Sequence, residues 1–421
     1  MNGVARAADP APMATDPQGP GIPLVDPESG APLHPDRPWS LSDGSGGRWP
    51  VSEGIPYLRL GRESLRRESL AALDAGDERA ALVALLADQD DHARTPAPSL
   101  AVISRMIDAA DDGVATLRDA MAALNFGPVA DYFAHRWSAP TYLSGLALLG
   151  GHRLDGATVV EIACGIGHYL RDLAASEVPC LGVDVVFAKL WLARRFVLPP
   201  GVAVVCGDAV AGLPIGTLPG SAVAFCHDAF YFFRDKPRVI AALHRVIGDG
   251  GRLLIGHAHN RSFDHRGVSG EPWTPGEYTS LLPGCLLYDD AELARAFWSG
   301  SPAPPRGVDE LGKAEAVAMA WGPPGWATDR WPGGRQPGLP RPGTSLRRNP
   351  MLVDDGGILR PRWPSPRFEA EYAAESGYLE GLRTPSPETL GRAMLGTVDR
   401  DDPEVDRLIR RRALLDLPER W

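Results

Sequence analysis

The sequence predicts an α/β fold built on a mostly parallel sheet, and three observations support this prediction. Short, nearly continuous apolar runs recur between residues 157 and 260 and alternate with amphipathic helical patterns, as expected for strands covered on both faces. A Gly-x-Gly turn, Gly165-Ile166-Gly167, follows the first run. Acidic residues stand at the ends of three successive runs, which is the sheet edge where open α/β folds bind ligands.

The first run, Val159 to Ile162, contains Glu161 and leads into the glycine turn. Glycines allow the backbone to bend sharply and a ligand to lie against it. A dinucleotide-binding fingerprint would have a third glycine where this chain has Leu170. The Glu161 carboxylate would repel a pyrophosphate but suits S-adenosylmethionine, which has an ammonium, a sulfonium and no phosphate. A strand–helix turn without any ligand is the simpler interpretation of this segment alone.

The next two runs also end in acids. Val178 to Val183 leads to Asp184, which is placed to accept hydrogen bonds from ribose hydroxyls. Val202 to Cys206 leads to Asp208, which we expect to accept a hydrogen bond from the adenine amino group. Each acid taken singly is more often a helix cap or a loop residue. Their order along the chain favours a shared adenosyl site.

Histidines follow the fourth and fifth runs. His227 comes directly after Ala222 to Cys226, and His257 comes shortly after Leu253 to Ile255. Since a histidine can take a proton near neutral pH, His227 and His257 are the predicted catalytic residues for an acceptor that must lose a proton. A purely structural role is the alternative for each of them.

Residues 157–260 resemble a class I S-adenosylmethionine-dependent methyltransferase. Residues 160–167 match the first motif of that family, Gly182-Val183-Asp184 the second and Gly207-Asp208-Ala209 the third. The resemblance implies an α/β, Rossmann-like sheet of seven mostly parallel strands and S-adenosyl-L-methionine as the cofactor. The cofactor-binding residues that it implies are Glu161, Cys164, Gly165, Gly167, Asp184, Val185, Asp208, Ala209 and His227.

The segments outside this core suggest five parts. They are a disordered tail (1–21), a ribbon-like β unit (22–61), a helical linker and lid (62–149), the methyltransferase core (150–300), and a C-terminal extension (301–421) that completes the sheet and caps the acceptor side. In the resembling family, helices ahead of the first strand form the lid, which implies that Arg136 or Tyr142 contacts the methionine carboxylate.

Residues 286–299, which include Asp290, suggest a strand followed by a helix, and Ala316 to Trp321 suggests a further strand. Residues 322–345 are rich in Gly and Pro and predict a loop. Beyond them we expect a hairpin from Met351 to Leu359 around Gly356 and Gly357, and helices from Glu369 to Tyr378 and from Pro403 to Leu415.

Residues 49–58 are similar to the closing hairpin of a small zinc-ribbon-like domain that accompanies many methyltransferases. Where that domain has cysteine pairs, this chain has Asp26 with Ser29 and Ser42 with Ser45, so we expect no structural zinc. Apolar packing would then stabilise the unit, through Leu24, Leu41, Trp49, Ile55 and Leu58. A proline-rich loop with one hairpin is the alternative interpretation.

Charge, cysteine content and hydropathy exclude several further classes of protein. The 421-residue chain has a formal net charge of -10, which gives no general attraction to nucleic acid. The five cysteines form no C-x-x-C pair and fit small buried residues in a reducing compartment. With no signal-like start and no membrane-length apolar run, we expect a cytoplasmic protein with no membrane association and no bound metal.

The favoured hypothesis is a methyltransferase that acts on a small-molecule acceptor by in-line transfer, with an O-directed reaction on a sugar, lipid precursor or secondary metabolite as its leading form. No Asn-Pro-Pro-Tyr step follows the fourth run, which counts against a nucleobase or glutamine amino group. The alternatives are a non-catalytic S-adenosylmethionine-binding or scaffold protein, a protein methyltransferase, and a nicotinamide oxidoreductase. The ribbon-like unit adds the hypothesis of a protein partner.

Overall fold

The computed structural model describes residues 22–89, 95–265, 270–328, 336 and 338–421. The predicted disordered tail, and residues 329–335 and 337 of a Gly/Pro-rich segment predicted to be a loop, lie outside this part of the chain.

The described chain begins with an antiparallel sheet whose strands follow the sequence order, namely β1 (His34–Arg37), β2 (Ser40–Ser42), β3 (Arg48–Ser52) and β4 (Ile55–Pro56).

The N-terminal sheet is held by apolar packing and by one buried carboxylate. All five of the predicted packing residues are at most 2% exposed: Leu24, Leu41, Trp49, Ile55 and Leu58. Asp26 accepts a 2.8 Å hydrogen bond from the Trp49 indole and further bonds from the backbone amides of Glu28 and Ser29. A carboxylate therefore organises the turn that contains Asp26 and Ser29.

Helices fill the chain between the two sheets. They are α1 (Glu63–Asp74), α2 (Glu78–Ala87), α3 (Leu100–Asp111), α4 (Leu117–Ala123), α5 (Val129–His135) and α6 (Pro140–Gly150). Every residue of α6 is buried, because this helix packs against the main sheet on one side and another helix on the other. A helix that is apolar all round is typical of such a central position.

The main sheet has seven strands within the described residues, as predicted. Its strands are β5 (Ala157–Ile162), β6 (Cys180–Asp184), β7 (Ala203–Cys206), β8 (Ser221–His227), β9 (Arg252–His259), β10 (Leu286–Asp289) and β11 (Ala316–Trp321). Their spatial order is β10-β11-β9-β8-β5-β6-β7. Strand β11 runs antiparallel to both of its neighbours, and the other pairs are parallel. The predicted Rossmann-like class I sheet is confirmed.

Helices connect these strands and cover the sheet. They are α7 (His168–Ala175), α8 (Phe187–Leu192), α9 (Lys236–Ile247), α10 (Pro275–Leu281) and α11 (Asp290–Ser299), the last of which packs on α6. The N-terminal unit closes the β7 edge, where the Leu58 amide donates a 2.7 Å hydrogen bond to the Cys206 carbonyl. Covering an edge strand in this way protects its backbone groups from unwanted pairing.

The C-terminal segment forms short elements beside the lid. They are β12 (Arg347–Arg348), β13 (Leu352–Asp355), β14 (Ile358–Pro361), β15 (Leu382–Arg383), β16 (Leu414–Leu415), α12 (Pro366–Tyr372), α13 (Pro387–Met394) and α14 (Pro403–Arg410). Strands β13 and β14 form the hairpin predicted around Gly356 and Gly357. None of the helices in the described ranges is both long enough and apolar enough to cross a bilayer.

The absence of a side chain at Gly145 in α6 is required by the packing beneath the site. A Cβ atom there would overlap the hydroxyl of Tyr169 and approach the ring of His227 within 2.8 Å. We expect Gly145→Ala to lower the free energy of unfolding by about 1–3 kcal/mol, as overpacking does. Urea unfolding followed by circular dichroism measures this.

Gly391 in α13 is the matched control, since it is exposed and a Cβ would meet nothing within 4 Å. We expect Gly391→Ala to raise the free energy of unfolding by up to about 1 kcal/mol, because alanine is the better helix former. Equal stability of the two variants would contradict the packing argument.

Candidate active site

A cavity of about 750 Å³ opens at the carboxyl ends of the parallel strands. Each of these strands contributes to its wall a residue that lies within two positions of the strand's last residue. The contributing residues are Glu161, Asp184, Asp208, Asp228 and His257. Helix α5 with the turn that follows it, and helix α12, add the side chains of Tyr132, Phe133, Arg136, Phe368 and Tyr372. The cavity therefore lies at the sheet edge predicted from the sequence.

The glycine turn forms one wall of the cavity. Ala163, Gly165 and Gly167 all have left-handed φ angles, of 57°, 56° and 80°, which bend the chain from β5 into α7. A Cβ on Gly165 would meet the Phe133 ring at 3.0 Å, so this glycine also provides room for the lid. Gly167, predicted to bind the cofactor, starts α7 and does not line the cavity.

Asp184 connects the glycine turn to the second strand. One carboxylate oxygen accepts a 2.9 Å hydrogen bond from the Gly165 amide, and the other accepts one of 2.9 Å from the Val186 amide. The Lys189 ammonium lies 3.6 Å away. Because each carboxylate oxygen has more than one lone pair, Asp184 can hold the turn and still accept from a ligand hydroxyl.

The remaining predicted cofactor residues lie beside it. Asp208 accepts 2.8 Å and 3.2 Å hydrogen bonds from the amides of Val210 and Ala211, which fixes the turn after β7. Cys164, Val185 and Ala209 line the same part of the cavity. The structure thus brings together, in one region, every predicted cofactor residue except Gly167 and His227, and His227 lines the cavity farther along the sheet edge.

Glu161 is a buried acid without full hydrogen bonding. It is 4% exposed, and among the described residues its Oε2 atom has no hydrogen-bond partner. Burial raises the pKa of Glu161 well above its usual value, Arg136 opposes this change, and Asp184 adds to it. Burial therefore favours the protonated carboxyl group, whereas a cation placed against it would favour the charged form.

An ion pair joins the lid to the fourth strand. Arg136 lies 2.9 Å from Asp228, and both side chains are at most 8% exposed. The Tyr132 hydroxyl also donates to Asp228, at 2.7 Å. Of the two residues suggested for the methionine carboxylate, Arg136 lines the cavity, whereas the Tyr142 hydroxyl contacts Asp172 away from it.

His227 packs tightly within the protein. Its Nε2 atom lies 3.3 Å from the Ser144 hydroxyl, and its Nδ1 atom lies 3.2 Å from the Tyr169 hydroxyl. The side chain is 0% exposed, and burial lowers the pKa of His227 to about 3. Both ring nitrogens are thus already engaged by neutral partners, which disfavours the predicted catalytic role of His227.

His257 has a different environment. Its Nδ1 atom lies 2.8 Å from Asp290, whose other oxygen accepts a 3.2 Å hydrogen bond from the His257 amide. Its Nε2 atom lies 3.2 Å from Nε2 of His259. Burial lowers the pKa of His257, but the carboxylates of Asp290 and Asp228 outweigh burial and raise it to about 9. The ring is therefore oriented by Asp290, with Nε2 facing the polar cluster of Asp228 and His259.

Backbone strain accompanies this cluster. Asp228 and His257 have φ angles of 58° and 48°, which residues other than glycine rarely adopt. Such strain concentrates at functional sites, where the surrounding structure stabilises it. The two strained residues follow or lie within the neighbouring strands β8 and β9, so their side chains share one end of the cavity.

Several residues that line the cavity were not found by sequence reasoning. Asp290 was noted only as part of a strand-to-helix transition, and Glu315, Glu371 and Tyr372 had no assigned role. All four line the cavity. They lie far along the chain from the motifs, and no local pattern indicates which residues beyond the motifs face the cavity.

Comparison with known proteins agrees with this geometry. Residues 160–255 match the family model described as "Methyltransferase domain". The chain therefore contains a methyltransferase domain. In this methyltransferase domain, the matched region runs from the end of β5 to the middle of β9, and it includes the glycine turn, Asp184, Asp208 and the Asp228 turn.

One curated relative of the methyltransferase domain is the ubiquinone biosynthesis O-methyltransferase of Pseudomonas paraeruginosa, which is 31% identical over 103 residues. The match covers 24% of this chain and 44% of that protein, so the chain spans less than half the length of this relative.

Two solved structures resemble the chain in fold. An S-adenosylmethionine-dependent methyltransferase of Mesorhizobium loti is 16% identical, with a TM-score of 0.31, and the match covers 43% of this chain and 97% of that one. The Haemonchus contortus phosphoethanolamine N-methyltransferase 2 is 17% identical, with a TM-score of 0.30, and the match covers 50% and 60% of the two chains.

Proposed function

We propose that this protein transfers a methyl group from S-adenosylmethionine to a hydroxyl group of a small molecule. The observation that supports this proposal is one continuous cavity with two chemically different ends. Glu161, Asp184 and Asp208 line one end, and Asp228 with His257 lines the other. The first end suits an adenosyl cofactor, and the second suits an acceptor that must lose a proton.

Among the residues that the structure describes, the cofactor end has acids and no phosphate-binding arrangement of basic side chains. Glu161 would pair with the ammonium of the methionine part, Asp184 would accept from the ribose hydroxyls, and Asp208 would accept from the adenine amino group. Lys189 lies near this end but is paired with Asp184. This set of carboxylates suits S-adenosylmethionine better than a nicotinamide dinucleotide, whose pyrophosphate it would repel.

The acceptor end is covered by the lid and the C-terminal segment. The Arg136–Asp228 ion pair joins α5 to β8, and Phe368 and Tyr372 of α12 line the opposite wall. A volume of about 750 Å³ accommodates a cofactor and a small acceptor together. A cavity covered in this way favours a small molecule as the methyl acceptor over a folded protein or a nucleic acid.

Methyl transfer to oxygen requires alignment and loss of one proton. The leaving group, a thioether, is already activated by the positive sulfur, so the protein mainly aligns the reactants and excludes water. His257, oriented by Asp290, is the side chain that we place against the acceptor hydroxyl. The similarity to an enzyme named as an O-methyltransferase supports an oxygen acceptor.

Turnover against a panel of acceptors tests the proposal. We expect S-adenosylhomocysteine to form when the protein is mixed with S-adenosylmethionine and a suitable phenol, sugar or hydroxy acid, and not when the acceptor is omitted. Matched amines that replace the hydroxyl should react poorly. Tight cofactor binding with no product across a broad panel would instead favour a non-catalytic binding protein.

A further inference from the structure

Three side chains at the acceptor end point toward one another. Nε2 of His257 lies 3.2 Å from Nε2 of His259 and 3.9 Å from Oδ1 of Asp228. One ligand-type atom from each of the three residues lies within 4.8 Å of the other two. An ion held about 2.0–2.2 Å from each of three atoms would keep them roughly 3–4 Å apart, so small adjustments suffice.

The surroundings orient these atoms as they would for a bound cation. Asp290 occupies Nδ1 of His257, which leaves Nε2 directed at the cluster. Histidines that bind metals commonly donate their second N–H to a carboxylate in this way. Arg136 and Tyr132 hold the Oδ2 atom of Asp228, and Tyr231 donates to its Oδ1 atom at 3.1 Å. A second group therefore positions the ligand atoms of His257 and Asp228, and the His259 ring is stacked on Tyr231.

We propose that Asp228, His257 and His259 bind one divalent transition-metal cation at the acceptor end of the cavity. Two imidazoles and one carboxylate favour zinc, cobalt, iron or manganese over magnesium, which prefers oxygen ligands. Three protein ligands leave further positions on the ion for water or an acceptor oxygen. The sequence alone predicted a catalytic role for His257 and no bound metal.

The cation would take over the role that the proposed function gives to His257, because an Nε2 atom bound to a metal cannot accept a proton. An acceptor hydroxyl bound to a divalent cation loses its proton more readily, and a chelating acceptor would be aligned by the same contact. This consequence rests on the proposed methyl transfer, whereas binding of the cation does not. A test by metal binding alone therefore keeps the two proposals separate.

Titration of the full chain with cobalt tests the site. The protein is first stripped of metal with a chelator and carries no affinity tag. Co²⁺ bound through imidazole nitrogen gives visible absorption bands, so occupancy and ligand type are read together. We expect one equivalent of Co²⁺ per chain, measured in the absence of cofactor and acceptor. We also expect that Zn²⁺ displaces it and that Mg²⁺ does not.

His259→Phe is the first variant, because the phenyl ring can retain the stacking on Tyr231, whose ring centroid lies 3.8 Å away, while both nitrogens are removed. Asp228→Asn is the second, since it keeps the shape of the side chain. We expect Co²⁺ to bind about 100-fold more weakly or worse in each, with altered bands. His34→Ala is the control, because it removes an exposed imidazole in β1 and should leave the titration unchanged.

Failure of the wild-type protein to bind Co²⁺ or Zn²⁺ would overturn the proposal. The histidine pair would then be a hydrogen bond in which His257 donates a proton to His259. Wild-type affinity and spectrum in both cluster variants would overturn it as well, since the ion would then lie elsewhere. Circular dichroism establishes which variants are folded, and one folded cluster variant is sufficient for the decision.

Discussion

His257→Gln is expected to reduce the rate of methyl transfer on the order of 10²- to 10⁴-fold while leaving cofactor affinity nearly unchanged. The substitution removes the imidazole ring that Asp290 orients toward the acceptor end. The Asp290 carboxylate lies 2.8 Å from Nδ1 of that ring. The cofactor residues Glu161 and Asp184 lie at the other end of the cavity and keep their contacts. Initial rates of S-adenosylhomocysteine formation and calorimetric titration with that product measure the two effects separately.

His227→Gln is the matched comparison, because His227 was the other predicted catalytic histidine. Its ring fits between α6 and β9, and a Cβ atom on Gly145 or on Gly256 would collide with it. We therefore expect this substitution to lower the melting temperature and to reduce turnover by less than about tenfold in the folded fraction. A larger loss of turnover in His227→Gln than in His257→Gln, at equal folding, would reverse the assignment.

The contrast between these histidines shows what local sequence can and cannot reveal. Both follow apolar strands, so the sequence correctly brought them to one sheet edge. Their different roles depend on Ser144 and Tyr169 beside His227, and on Asp290 beside His257. Those partners lie from 33 to 83 residues away along the chain, where no short-range pattern connects them.

The fold was predicted best where periodicity and turn chemistry agree. The strand predicted at Ala316–Trp321 is β11 with the same bounds, since its apolar run lies between polar segments. Its insertion between β9 and β10 is a long-range pairing that no local signal specifies. The helix predicted from Glu369 to Tyr378 is instead α12, which starts at a Ser365 cap followed by Pro366 and ends earlier.

The C-terminal helix prediction from Pro403 to Leu415 was too long for a similar reason. Helix α14 ends at Arg410, and Leu414–Leu415 pair with Arg347–Arg348 as a short strand. The apolar residues that suggested a continued helix are buried by this tertiary contact. Packing of the C-terminal segment, unlike the nucleotide-binding turn, is thus decided by contacts between distant parts of the chain.

Glu161→Gln is expected to weaken binding of S-adenosylhomocysteine about 10- to 100-fold, or roughly 1.5–3 kcal/mol, as for the loss of a charge-assisted hydrogen bond in a buried site. The product retains the ammonium group that we place against this carboxylate. Glu161 is buried and its Oε2 atom has no partner among the described residues, so little else compensates a lost contact. Glu177→Gln, at an exposed position that is 79% accessible, serves as the control and should bind as the wild type does.

The pH dependence of binding provides a second, independent readout. Because burial raises the pKa of Glu161, the empty site favours the protonated carboxyl group, whose proton an ammonium ligand would displace. Binding to the wild type should therefore release a proton and become tighter as pH rises toward the raised pKa, with no further gain above it. Calorimetry in two buffers of different ionisation enthalpy counts that proton. Glutamine has no proton to lose at this position. Equal proton release in Glu161→Gln would therefore mean that another group releases the proton, and it would contradict the placement of the ligand's ammonium against Glu161.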